Sequence, residues 1–172
     1  SQWNGLYVYS RDTDSGALTQ LQRLDGRSGI VTTSGDYVYV TYAGAGIVTP
    51  PSLSVYQRSA SGPLSLVDTL NISATGTDLV ASADGRYLYV GSASGVTLYQ
   101  LGTDNQLTQV NAISGIAVGS LSLDADGDRL FVAASNGTVH LYSVASNGSL
   151  TSQGTLSSPT NGQEIAVAPD GQ

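Results

Sequence analysis

Residues 83–100 read ADGRYLYVGSASGVTLYQ. An Asp84-Gly85 pair precedes an apolar run, and a Ser94-Gly95 break separates that run from a second one. Asp-Gly between alternating runs predicts a tight hairpin, because such a turn needs residues that tolerate positive φ. Tyr87 and Tyr89 fall on one face of the first run and Leu88 and Val90 on the other. Both faces are therefore largely apolar, as expected of a strand in a sheet sandwiched between neighbours. Extended in both directions, residues 78–111 read as four strands: DLVAS, RYLYVGS, VTLYQL and, after the polar turn GTDN, QLTQV. The polar residues in the fourth suit an outer strand half in water.

The same unit recurs along the chain, and two independent markers give its period. Tyr9, Tyr56, Tyr99 and Tyr142 close successive third runs at spacings of 47, 43 and 43, while Gly85, Gly127 and Gly171 of the Asp-Gly turns are 42 and 44 apart. A degenerate copy, TTSGDYVYV, stands before the 47-residue interval. Four short strands repeating every 40 to 45 residues or so, apolar on both faces, are the sequence picture of β-propeller blades. The predicted fold is all-β: four-stranded antiparallel blades at about 29–69, 78–111 and 120–155, with partial blades at 5–22 and 164–172. Tyr89 and Phe131, at one position of the second strand, are expected to be buried between blades.

The units SADGRYLYVGSASGVTLYQLGTDNQLTQV and DADGDRLFVAASNGTVHLYSVASNGSLTSQGTL resemble the repeats of lactonase-type (YVTN-like) β-propellers. Those blades carry an S-P-D-G-R-x-L-Y-V hairpin, then a strand ending in Tyr and a G-x-L-T step. The resemblance covers nearly the whole chain and implies membership in a seven-bladed ring. It implies two kinds of relative: 6-phosphogluconolactonase-like enzymes, and propellers of exported surface proteins. The matching motifs are structural, so they carry over no catalytic residue.

The sequence opens in a third strand and stops in a first, which leads us to expect a piece of a longer propeller. A four-bladed ring and two chains sharing one ring are the alternatives. On the fragment reading residues 6–10 and 164–168 should not pair with each other. The open ring would then seek the rest of the propeller or a second copy of the chain as partner.

Composition narrows the partners further. The 172 residues include 21 Gly, 10 Tyr, no Cys, and six basic residues that are all Arg, for a net charge of −7. An acidic surface lacks the cations that nucleic-acid binding relies on, so no nucleic acid is expected. No run has the length or polarity of a membrane-spanning helix, and membrane insertion is not expected. The Ser/Thr/Gly-rich, Lys- and Cys-free composition points to an extracellular, cell-surface or periplasmic protein, whereas a true lactonase would be cytoplasmic.

Candidate chemical groups are few. His140 is the one histidine and a possible general base, but it sits mid-strand in TVHLYSV. Arg23, Arg27 and Glu164 fall in or beside loops expected at the channel mouth, where an Arg could hold a carboxylate or phosphate. Asp124, Asp126 and Asp128 in DADGD alternate as calcium ligands do, yet the distal Glu of such a loop is missing and a hairpin turn is preferred. No nucleophile elbow exists, since Ala93 stands where GSASG would need its serine, and AGAGIVT lacks the last glycine of a dinucleotide fingerprint. No cofactor or metal is expected.

Two functions follow. The first is a non-catalytic propeller scaffold of an exported protein, taking a protein or carbohydrate ligand at the channel mouth, with the loop TYAGAGIVTPPS (41–52) as its contact. The second is a lactonase-like hydrolase.

Overall fold

The computed structural model describes residues 5–26, 29–44, 49–157 and 164–168. Its strands are β1 (Gly5–Arg11), β2 (Leu18–Asp25), β3 (Val31–Ser34), β4 (Tyr37–Tyr42), β5 (Ser52–Arg58), β6 (Leu64–Asn71) and β7 (Gly76–Ala81). There follow β8 (Tyr87–Ser92), β9 (Gly95–Leu101), β10 (Leu107–Ser114), β11 (Val118–Leu123), β12 (Arg129–Ala134), β13 (Thr138–Val144) and β14 (Leu150–Ser157). They form three four-stranded antiparallel sheets, β3–β6, β7–β10 and β11–β14, each in sequence order, and a two-stranded sheet of β1 and β2.

The local chemistry of the motif explains its hairpin. In SADGR the Asp84 carboxylate accepts from Ser82 Oγ (2.6 Å) and Arg86 N–H (3.0 Å), while Ser82 Oγ accepts from Tyr87 N–H (3.0 Å). Gly85 supplies the left-handed residue at φ +69° that the turn requires. Burial alone would push the Asp84 carboxyl up, but the Ser82 and Arg86 hydrogen bonds and the Arg86 charge outweigh it and hold it below the ordinary value.

The Tyr marker has an equally local cause. Each third-to-fourth ladder slips once, between Val8 and Tyr9, Val55 and Tyr56, Leu98 and Tyr99, and Leu141 and Tyr142. The slip leaves one outer-strand residue unpaired each time: Leu21, Val67, Val110 and Gln153. A bulge at a fixed place increases twist and bends each outer strand in the same way.

The sheets stack face to face. Tyr39, Leu53 and Val55 of the β3–β6 sheet pack on Leu79, Leu88 and Val90 of the next, and Tyr89, Val96 and Leu98 pack in turn on Leu121, Leu130 and Val132. Leu6, Val8 and Leu24 of the two-stranded sheet lie on Val40, Tyr56 and Leu64. The buried tyrosine hydroxyls tie each sheet to its successor: Tyr39 donates to the Gly85 carbonyl and Tyr89 to that of Gly148 (2.9 Å). The first strands adjoin, β3 beside β7 and β7 beside β11. β11 also comes close to β8, where Gly91 leaves it room, since a Cβ there would stand 2.5 Å from Val118 Cγ1. Sheets that touch along their first strands and stack on their faces fan out as propeller blades.

One expectation is corrected. Phe131 shares the repeat position of the fully buried Tyr39 and Tyr89 but is only half-buried, because among the described residues no sheet covers its face of β11–β14. Residues 164–168 run beside β11, held by a bond from Val167 N–H to Ser122 Oγ (3.3 Å); among the described residues no strand pairs with them.

Candidate functional site

Asp78 of β7, Ser120 of β11 and Glu164 stand at one repeat position and converge on one cavity of about 510 Å³. Thr77, Gly119, Ile165 and Ala166 complete its lining. The inner ladders slip here, between Gly76 and Asp78 and between Val118 and Ser120, so that Thr77 and Gly119 have no cross-strand partner. Bulges of this kind re-aim side chains at the rim of a sheet.

Asp78 is fixed from three sides. Its Oδ1 accepts from Leu79 N–H (2.8 Å), and its Oδ2 accepts from Leu121 N–H (2.6 Å) and from the Ser120 hydroxyl (3.0 Å). The Thr77 hydroxyl donates to the Val118 carbonyl (2.8 Å). Three bonds thus join Thr77 and Asp78 of β7 to β11, so the cavity floor is a clasp between two inner strands. With its proton committed to Asp78, Ser120 Oγ presents lone pairs and can accept from a ligand hydroxyl. Glu164 differs from Asp78: it is exposed, and among the described residues its carboxylate has no hydrogen-bond donor. One clasped carboxylate and one open carboxylate therefore share a polar cavity.

The sequence candidates are dispersed. Glu164 lines the cavity. Arg23 lies on β2, the outer strand of its sheet, ion-paired with Asp25 and 5.5 Å from the Tyr7 ring. Arg27 lies outside the described residues, as do residues 45–48 of the 41–52 loop. His140 is on β13, a third strand, with Nε2 3.0 Å from Thr138 Oγ1, and does not line the cavity. Asp124 accepts from Arg129 N–H (3.1 Å) in its hairpin, taking the place of Ser82 in the neighbouring unit, and the Asp128 carbonyl accepts from Val144 N–H (2.8 Å). No group of three His, Asp or Glu side chains among the described residues, Asp126 included, could hold a metal ion. Sequence reasoning passed over Asp78, Ser120 and Thr77. The signal for them was alignment of the repeats, which puts Asp78, Ser120 and Glu164 at one position.

The fold and the polar cavity at its inner strands define a β-propeller. The family described as lactonase, 7-bladed β-propeller matches residues 41–166, and the chain belongs to it. A periplasmic gluconolactonase from Pseudomonas aeruginosa superposes with a TM-score of 0.74 at 22% identity, over 96% of this chain and 54% of that one. A provisional 6-phosphogluconolactonase from Bacteroides uniformis gives 0.75 at 22%, over 97% and 55%. This chain thus spans about half the length of the solved structures it matches, and at such identity the likeness is one of fold. No curated protein matches the sequence.

Proposed function

We propose that the chain contributes the inner-strand cavity of a lactone hydrolase acting on sugar-acid lactones. The observation that carries this is the open Glu164 carboxylate beside the clasped Asp78–Ser120 pair. Glu164 activates a water for attack on the lactone carbonyl. The water's proton passes to the carboxylate, the ring C–O bond breaks, and the ring oxygen leaves with a proton as an alcohol. Ser120 Oγ orients the substrate by accepting from one of its hydroxyls. Membership in the lactonase family supports this chemistry over the non-catalytic scaffold, for which no structural observation speaks. The periplasmic neighbour supports an exported location. A panel of aldonolactones followed by pH-stat tests the proposal. Saturable hydrolysis above the uncatalysed rate is expected, and its absence across the panel returns the molecule to the scaffold class.

A further inference from the structure

The cavity at the inner strands carries a chemical bias that the proposed hydrolysis does not use. Thr77 Oγ1 bonds to the Val118 carbonyl (2.8 Å), which can only accept, so the Thr77 proton is committed to it. Ser120 Oγ stands 3.0 Å from Asp78 Oδ2, and its proton is committed to that carboxylate in the same way. Asp78 and Glu164, as carboxylates, have no proton to give. Every side-chain polar group lining the cavity, Thr77, Asp78, Ser120 and Glu164, therefore accepts hydrogen bonds from a ligand and donates none to it.

The side chains of the cavity also carry one sign of charge. Two carboxylates line it, and none of the arginines among the described residues does. Arg86 precedes β8 and Arg129 opens β12, at the ends of those strands remote from Gly91 and Ala133, the partners of Asp78 and Ser120. At the usual rise of a strand that separation is on the order of 13–16 Å, beyond the range at which exposed charges act in ordinary salt. Ser120 joins the two properties. It is only 9% exposed and so held in place, and donation to a carboxylate polarises its Oγ into a stronger acceptor.

We propose that this cavity selects a protonated amino sugar over neutral and phosphorylated sugars, the ammonium donating to Ser120 Oγ in the field of Asp78 and Glu164. An ammonium brings three donors and a positive charge and has no lone pair, so it matches both properties of the lining. A hydroxyl matches only the first, and a phosphate meets acceptors and like charge, which selects against it. The inference deepens the hydrolase reading and rests on it for one point, that the substrate is a lactone. Its substrate class becomes amino-sugar lactones, with the amino group in the place of the hydroxyl that Ser120 receives from a neutral lactone.

The test is an NMR titration of the 172-residue protein with glucosamine, N-acetylglucosamine, glucose and glucose 6-phosphate, at a pH below the pKa of the amine. Glucosamine is expected to bind about tenfold more tightly than glucose, N-acetylglucosamine no better than glucose, and glucose 6-phosphate most weakly. Added salt should shrink the glucosamine advantage, and Ser120→Ala should remove most of it. Because that variant can disturb the clasp, the comparison of ligands on the unaltered protein keeps the outcome decisive. Equal binding of glucosamine and N-acetylglucosamine, tighter binding of glucose 6-phosphate than of glucosamine, or no saturable binding of any of the four overturns the proposal. The titration does not depend on hydrolysis: the amine preference without turnover of any lactone sinks the hydrolase reading alone, and turnover without the preference sinks this inference alone.

Discussion

Tyr89 and Phe131 occupy one position in successive blades, yet Tyr89 is fully buried and Phe131 is not. Their own strands are alike: each stands opposite a leucine of the third strand, Leu98 and Leu141. The difference lies in the following sheet. Tyr89 meets Leu121, Leu130 and the Gly148 carbonyl, whereas Phe131 lies along an open space of about 750 Å³ with Leu141 and Val144. In this fold burial belongs to a pair of sheets, and the repeat pattern alone fixes only half of the environment.

The largest expected effect tests that difference. Tyr89→Ala should cost about 3–5 kcal/mol in denaturant unfolding, as for a fully buried aromatic, while Phe131→Ala should cost about 1 kcal/mol. Equal losses would mean that the two faces are equally covered in solution. Next, Tyr89→Phe keeps the ring but leaves the buried Gly148 carbonyl without its donor, at about 1–2 kcal/mol by the same assay.

A smaller effect appears in alkali. Burial first, with Tyr87 and Asp84 nearby, pushes the Tyr89 hydroxyl up to about 12, above its ordinary value of about 10. Its folded pKa is raised, so its contribution to stability is complete below about pH 10 and is lost as pH rises towards 12. Unfolding midpoints between these values should fall less steeply for Tyr89→Phe than for the parent; parallel slopes would contradict the burial. The mildest change is Phe131→Lys. It should leave stability within about 1 kcal/mol and reduce self-association in sedimentation, since the open face is where a second molecule would adhere.

Most of the architecture was legible because its signals are local. The Asp84-Gly85 turn is built from its own neighbours, and Tyr9, Tyr56, Tyr99 and Tyr142 each mark a bulge within one sheet. What escaped depends on contacts between sheets. Asp78 reaches Leu121 N–H from 43 positions away, and nothing in the text of DLVAS announces that. Residues 164–168 align with a first strand of the repeat, and the contact they make, Val167 N–H to Ser122 Oγ, is again one to the neighbouring sheet that no local pattern announces. Arg23 read as a mouth residue because its loop was near, whereas the fold puts it on an outer strand against Asp25.

The central claim, that Glu164 is the general base of a lactone-opening site, is tested most directly by comparing Glu164→Gln with the parent protein. We expect kcat for the best aldonolactone to fall by about 100-fold or more, the usual contribution of a positioned base, with thermal stability unchanged because Glu164 is exposed. A kcat within about twofold of the parent would contradict the assignment.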